Sequence, residues 1–293
     1  MVNVKQYDAF TTVPGKGNPA GVVLAAIGLS DTEMQYIAAE AGYNETAFVL
    51  PSEKADYRFR YFTPGHEMNL CGHGTIACIQ ALVDAGWITA GTITIDTNAG
   101  LLPIVVDLAG EEPMITMRQA IPQFLPWTGD SAALLAAIGL TIEDLDTRYP
   151  IVYGNTGIWT LLIPIKERRR FAAMQSDNPL FPALLAEVPR ASVHPFTLDT
   201  QSADTKMYGR HFSSPYSGTI EDPVTGTASG VMGAYYKTYI QPDLKTPACL
   251  TIEQGHEIGK AGKVYVHVEA LPELSIAISG TAIYVKDVSL KNM

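Results

Sequence analysis

Short runs of alternating apolar and polar residues recur along the whole chain, separated by a few stretches with helical spacing. Strand patterns fall at 2–7, 21–25, 46–50 and 57–62, the last rich in aromatic residues, and then at 92–96, 101–107 and 113–117. Ser30-Asp31-Thr32-Glu33 has the form of a capping box, which predicts a helix from there to Ala41 that stops at Gly42. A second helix, predicted over 75–85 and ended by Gly86, is apolar on nearly every side, so it belongs in an interior. Later in the chain, helices are expected at 131–138, 167–174 and 227–239. Strands are expected at 151–153, 159–164, 193–199, 206–212, 251–254, 264–268, 275–279 and 282–285.

Pro122 to Gly129 (PQFLPWTG) breaks the pattern with prolines and a glycine and suggests a domain junction. The parts on either side echo each other. Arg60-Tyr61-Phe62-Thr63-Pro64 leads to Cys71-Gly72-His73-Gly74-Thr75 and a buried helix. Arg210-His211-Phe212-Ser213-Ser214-Pro215 leads to Thr225-Gly226-Thr227 and another. This pattern predicts a degenerate duplication of mixed α/β (α+β) class. Each half would be a strongly curved sheet wrapped round one central helix, and the two would face each other across a cleft, a common place for a ligand site.

Composition narrows the functions open to such a chain. Its 293 residues are 47% hydrophobic and 17% charged, which suits a globular protein and excludes a disordered one. A net charge of −10 argues against nucleic acid and against anionic membrane as partners. Three cysteines, Cys71, Cys78 and Cys249, form neither a disulfide framework nor a zinc-ligand spacing. The first ten residues hold no apolar signal core and no stretch is apolar enough to span a bilayer, so a cytoplasmic protein is expected.

Both glycine motifs place small residues at a helix N-terminus, where free N–H groups and the helix dipole favour an anion; tight turns that need glycine for conformation are the alternative. Glu45, between a helix end and an apolar strand, is expected to be partly withdrawn from water, as a general acid/base must be, although a solvated turn residue fits the local sequence too. Asp222, held out of helical geometry by Pro223, could assist the reaction or only shape its turn. His73 could hydrogen-bond a substrate or titrate near neutrality, and Cys71 could be a reactive thiol at a helix start or a buried inert one. The basic run Lys166–Arg170 fits a solvated helix face.

Gly17-Asn18-Pro19-Ala20-Gly21, Asn44-Glu45-Thr46-Ala47-Phe48, Arg60-Tyr61-Phe62-Thr63-Pro64, Cys71-Gly72-His73-Gly74-Thr75 and Glu221-Asp222-Pro223-Val224-Thr225-Gly226-Thr227-Ala228 occur in that order. Together they resemble the phenazine-biosynthesis PhzF-like proteins of the diaminopimelate epimerase superfamily. The resemblance implies a diaminopimelate epimerase-like fold of two similar domains, each a barrel-like, mostly antiparallel sheet around a central helix, with residues 1–120 plus a C-terminal tail of about 280–293 in the first and residues 121–279 in the second. It also implies a homodimer, and an isomerase that works without cofactor or metal on a small carboxylate. In the phenazine pathway enzyme a hydrogen moves from C3 to C1 of trans-2,3-dihydro-3-hydroxyanthranilate.

It further implies that Glu45 is the acid/base, that Asp222 and His73 assist and hydrogen-bond the substrate, and that Asn18, Gly72, Gly226 and Thr227 bind it. Thr227 stands where the phenazine enzyme has serine. Cys71 fits the first thiol position of the two-thiol epimerases, but Thr225 stands at the second, and threonine is a poor base. The phenazine enzyme lacks a cysteine at the position of Cys71 and has proline where this chain has Gly74. An epimerase or racemase using Cys71, and a non-catalytic binding protein on the same fold, are the alternatives.

Overall fold

The computed structural model describes residues 2–270, 272–288 and 290. In chain order its first strands are β1 (Val4–Ala9), β2 (Asn18–Val23), β3 (Thr46–Leu50), β4 (Tyr57–Phe62), β5 (Glu67–Met68), β6 (Gly91–Thr97), β7 (Gly100–Asp107) and β8 (Met114–Arg118). Next come β9 (Gln123–Pro126), β10 (Val152–Asn155), β11 (Trp159–Pro164), β12 (Ser192–Thr197), β13 (Thr205–Gly209), β14 (His211–Phe212) and β15 (Glu221–Asp222). The last are β16 (Ala248–Gln254), β17 (Gly262–Glu269), β18 (Ser275–Gly280) and β19 (Ala282–Val288). The α-helices are α1 (Asp31–Ala41), α2 (Gly72–Asp84), α3 (Ser131–Ala136), α4 (Phe181–Leu184) and α5 (Gly226–Tyr235). The chain divides into two compact units, Met1–Arg118 with Ser279–Met293, and Gln119–Ile278.

In the first unit the strands pair in the order β19, β1, β2, β3, β4, β6, β7, β8, and β5 adds to one end of β4. All pairs are antiparallel except β2–β3 and β4–β6. A parallel pair needs a long crossover connection, and these two are supplied by α1 and α2. Helix α2 lies against β1, β2, β3 and β19 and buries His73 through Leu82 without a break, which explains its lack of a polar face. Helix α1 is amphipathic instead. Met34, Ile37 and Ala38 pack with Val4, Val23, Phe48 and Phe62. The capping box is formed: Glu33 N donates to Ser30 Oγ (3.3 Å) and Ser30 N donates to Glu33 Oε2 (2.8 Å), while Gly42, at φ +70°, closes the far end.

The second unit repeats the scheme. Strands β9, β10, β11, β12, β13, β16 and β17 pair in that order, with β14 beside β12 and β15 beside β14. The parallel pairs are again the third and fifth in the order, β11–β12 and β13–β16. Helix α5 takes the place of α2 and packs on β10 and β17. The segment that matches α1 holds 3-10 turns, Arg168–Ala173 and Asn178–Leu180, and the short α4.

Several expected elements change. The helix expected over 75–85 begins three residues earlier, because Gly72-His73-Gly74 forms its first turn under the Cys71 cap. The helix expected over 227–239 begins at Gly226 and passes into a π turn, Tyr236–Ile240. The helix expected over 167–174 is a 3-10 turn. The strand expected over 206–212 breaks at Arg210, whose N–H leaves the ladder to donate to Pro195 O (3.1 Å).

Candidate functional site

In the first unit, Glu45 is the last residue of the connection from α1 to β3. Its carbonyl accepts from Gly21 N (3.1 Å), which fixes it beside β2. Gly21 allows that approach, since a Cβ there would lie 2.6 Å from Thr46 Oγ1. Asn18, the first residue of β2, is fully buried. Cys71 caps α2, its Sγ accepting from Gly74 N (3.3 Å). Tyr61 on β4 donates to Thr75 Oγ1 (2.6 Å), which donates to Cys71 O (2.8 Å), so the helix start is held from two sides.

This framework brings three of the candidate residues together. His73 Nε2 lies 3.2 Å from Glu45 Oε2, and Cys71 Sγ lies 3.5 Å from His73 Nδ1 and 3.8 Å from Nε2. The Glu45 side chain is 17% exposed, and Cys71 and His73 are buried. Burial works against a charged His73 ring, yet the neighbouring Cys71 sulfur and Glu45 carboxylate outweigh it and hold His73 well above the usual histidine range. Burial pushes the Cys71 thiol up. The cluster is therefore one imidazole ring set between a carboxyl group and a thiol. Gly72 and His73 contribute first-turn N–H groups that the helix leaves without a partner.

In the second unit, Asp222 ends β15, opposite His211 of β14. Its Oδ2 accepts from Thr225 Oγ1 (2.5 Å), and Thr225 is the N-cap residue of α5. The Gln254 side chain braces this turn, donating to Asp222 O (2.7 Å) and Thr225 Oγ1 (3.2 Å) and accepting from Thr225 N (3.1 Å). Gly226 and Thr227 open the helix. Thr227 is the one residue of α5 that is not buried, and its carbonyl accepts from Thr156 Oγ1 (3.0 Å). Hydroxyl groups here stand where the first unit has a thiol and an imidazole.

Three supporting residues were absent from the candidates. Gln254 lies far from the motif in sequence and left no local signal. Arg60 forms a two-pronged ion pair with Glu67 (2.7 and 2.7 Å), and Arg210 forms the same pair with Glu221 (2.9 and 2.6 Å). Each ties the strand before the glycine motif to the short strand leading into it. The repeated Arg-x-Phe was the visible trace of both, since each guanidinium also covers the phenylalanine two residues on.

Residues 7–288 match the model of a family described as phenazine biosynthesis-like protein. The chain is 52% identical over 283 residues to a Bacillus subtilis protein named an uncharacterized isomerase, covering 96% of each. It is 29% identical over 276 residues to the trans-2,3-dihydro-3-hydroxyanthranilate isomerase of Pseudomonas aeruginosa, covering 92% of each. A crystal structure of a Bacillus anthracis phenazine biosynthesis protein of the PhzF family, 52% identical, superimposes with a TM-score of 0.96 over 98% of both chains. The fold is thus that of the PhzF-type, epimerase-like proteins, and the chain belongs to the phenazine biosynthesis-like family, a family of isomerases. No helix among the described residues is long and apolar enough to cross a membrane.

Proposed function

We propose that this protein is a cofactor-independent isomerase that relocates a proton within a small carboxylate, with Glu45 as the acid/base. The supporting observation is the 3.2 Å approach of Glu45 Oε2 to His73 Nε2 in partly desolvated surroundings. The Glu45 carboxylate takes a proton from a carbon next to an activating group, and the electron pair passes into the conjugated system. The resulting carboxylic acid returns the proton to another carbon on the same face. The imidazolium of His73 donates to the negative charge as it develops, a placement that stabilises the transition state more than the bound substrate. The free N–H groups of Gly72 and His73 suit a substrate carboxylate. Asn18, Asp222, Gly226 and Thr227 are assigned to the same substrate on the family resemblance, with Asp222 oriented by Thr225.

The likeness to the Pseudomonas aeruginosa isomerase favours a cyclic, dihydrohydroxyanthranilate-like substrate bearing amino or hydroxy groups. The resemblance also favours a homodimer, which light scattering would read. The free cysteines, Cys249 exposed among them, suit a reducing, cytoplasmic setting.

A second reading takes support from the position of Cys71, whose sulfur touches His73 and could serve an epimerase as a base. Burial, which pushes that thiol up, weighs against it. Turnover of dihydrohydroxyanthranilate and of a panel of small amino and hydroxy acids separates the two. Under the one-base reading Glu45→Gln abolishes turnover and Cys71→Ser keeps it. Loss of turnover in Cys71→Ser with the fold intact would establish the thiol reading.

A further inference from the structure

We propose that Glu45, Cys71 and His73 form a binding site for a soft divalent cation such as zinc, and that the cation blocks the protein's acid/base chemistry. One ligand atom from each residue lies within 4.8 Å of the others. The set of thiolate, imidazole and carboxylate is one that zinc accepts, and magnesium or calcium would not choose it. Bond lengths of about 2.1 Å to nitrogen and oxygen and about 2.3 Å to sulfur set tetrahedral edges of about 3.4 Å for N–O and about 3.6 Å for S–N. The observed separations are 3.2 Å between Glu45 Oε2 and His73 Nε2, and 3.8 Å between Cys71 Sγ and the same nitrogen. Two edges are therefore within a few tenths of an ångström of those of a bound ion. The sulfur–carboxylate edge, at no more than 4.8 Å, closes by rotation of the Glu45 side chain.

The carboxylate is also available. Glu45 Oε2 is buried without a hydrogen-bond partner, and the His73 nitrogen 3.2 Å from it would be a fellow ligand. Cys71 and His73 are fixed by the first turn of α2 and its cap, so two of the three donors are positioned before any ion arrives. On binding, the thiol and the imidazolium each release a proton to solvent, and the cation takes the lone pairs with which Glu45 and His73 would handle a substrate. Three protein donors leave a fourth position for water. Among the described residues the second unit offers no such set, because Thr225 and Thr227 stand where Cys71 and His73 do.

Only the inhibitory consequence rests on the acid/base role of Glu45; the site itself is tested without turnover. Cobalt(II) is titrated into the full-length protein in the presence of a non-thiol reductant, and its absorption spectrum is recorded. The expected result is one equivalent bound, with a sulfur-to-cobalt charge-transfer band that zinc abolishes by displacement. Cys71→Ser, which keeps an N-cap acceptor and hence the helix, loses that band. Glu45→Gln keeps the band and binds at least about tenfold more weakly, as expected when even a supporting ligand partner is lost. Cys249→Ser behaves as wild type. The absence of a charge-transfer band, its survival in Cys71→Ser, or unchanged affinity in Glu45→Gln would each overturn the proposal. If the spectra behave as expected but zinc leaves turnover intact, the blocking role is overturned.

Discussion

The two units share a scaffold and differ in what they mount on it. Each pairs its strands with the same sequence of parallel and antiparallel neighbours, encloses one buried helix, and ties the strand entering the glycine motif with an Arg–Glu clamp. At matching places the first unit has Cys71, His73 and Tyr61, and the second has Thr225, Thr227 and His211. The first unit thus concentrates its titratable groups at the helix start. The second has hydroxyls there, one of them hydrogen-bonded to the Asp222 carboxyl, and places His211 in the core, where its Nδ1 meets His194 Nδ1 at 3.1 Å. The two units keep the same backbone device that presents a helix N-terminus, and the capping side chains set the chemistry of each.

The sharpest break of this comparison is functional. Glu45→Gln should lower kcat by about 10²–10⁴-fold, the range for loss of a general acid/base. Thr227→Ala should act mainly on KM, as loss of a uniform binding contact does. Steady-state kinetics on any substrate found would show whether chemistry and binding divide between the units in this way.

The clamps should differ in strength. Arg210 and Glu221 have side chains only 8% and 12% exposed, and Arg210 Nη1 also donates to Phe171 O (2.7 Å) and Met174 O (3.2 Å). Arg210→Ala should cost about 3–5 kcal/mol, because it leaves a buried carboxylate and two carbonyls without partners. Arg60→Ala should cost about 1.5–3 kcal/mol, as its partner Asp31 is largely in water. Urea unfolding measures both, and equal losses would refute the ranking.

Acid should also tell the units apart. Burial pushes His211 down to about 4 and takes His194 well below its ordinary value. The unfolded chain therefore binds protons first. Stability is fully present above about pH 6.5 and falls as pH drops towards 4, by about 3 kcal/mol for His211. The matching Tyr61 does not titrate there, since burial raises it well above its usual range. His211→Gln should flatten the pH dependence of the melting temperature between pH 6.5 and 4. A smaller effect is expected at Ser30, the cap of the helix for which the second unit has only 3-10 turns and the short α4; Ser30→Ala should cost about 1 kcal/mol.

Much of this was legible in the sequence where local rules decide structure. Strands β3, β4 and β11 fall on the expected residues, because at least half of each is β-branched or aromatic. The capping box and Gly42 fixed α1 for the same reason. The start of α2 was not legible, since glycine is a poor helix former and only the Cys71 cap and the hydrogen bonds from Tyr61 and Thr75 make the first turn from Gly72-His73-Gly74. Strands β5 and β15 are two residues long, too short for any periodicity. Of the site, the residue types at Glu45, Cys71 and His73 could be read from motifs. Their mutual distances depend on β2 and β3 pairing in parallel, which a sequence does not display.

The central claim is that Glu45 moves a proton, and the most direct measurement is proton NMR in D2O. The protein is mixed with dihydrohydroxyanthranilate and a panel of small amino and hydroxy acids, with Glu45→Gln as control. Deuterium entering one carbon of a substrate with the wild type and not with Glu45→Gln is the predicted result. Exchange that persists in Glu45→Gln would contradict it. A compound that stabilises the protein against heat yet never exchanges would point instead to a binding protein on an isomerase fold.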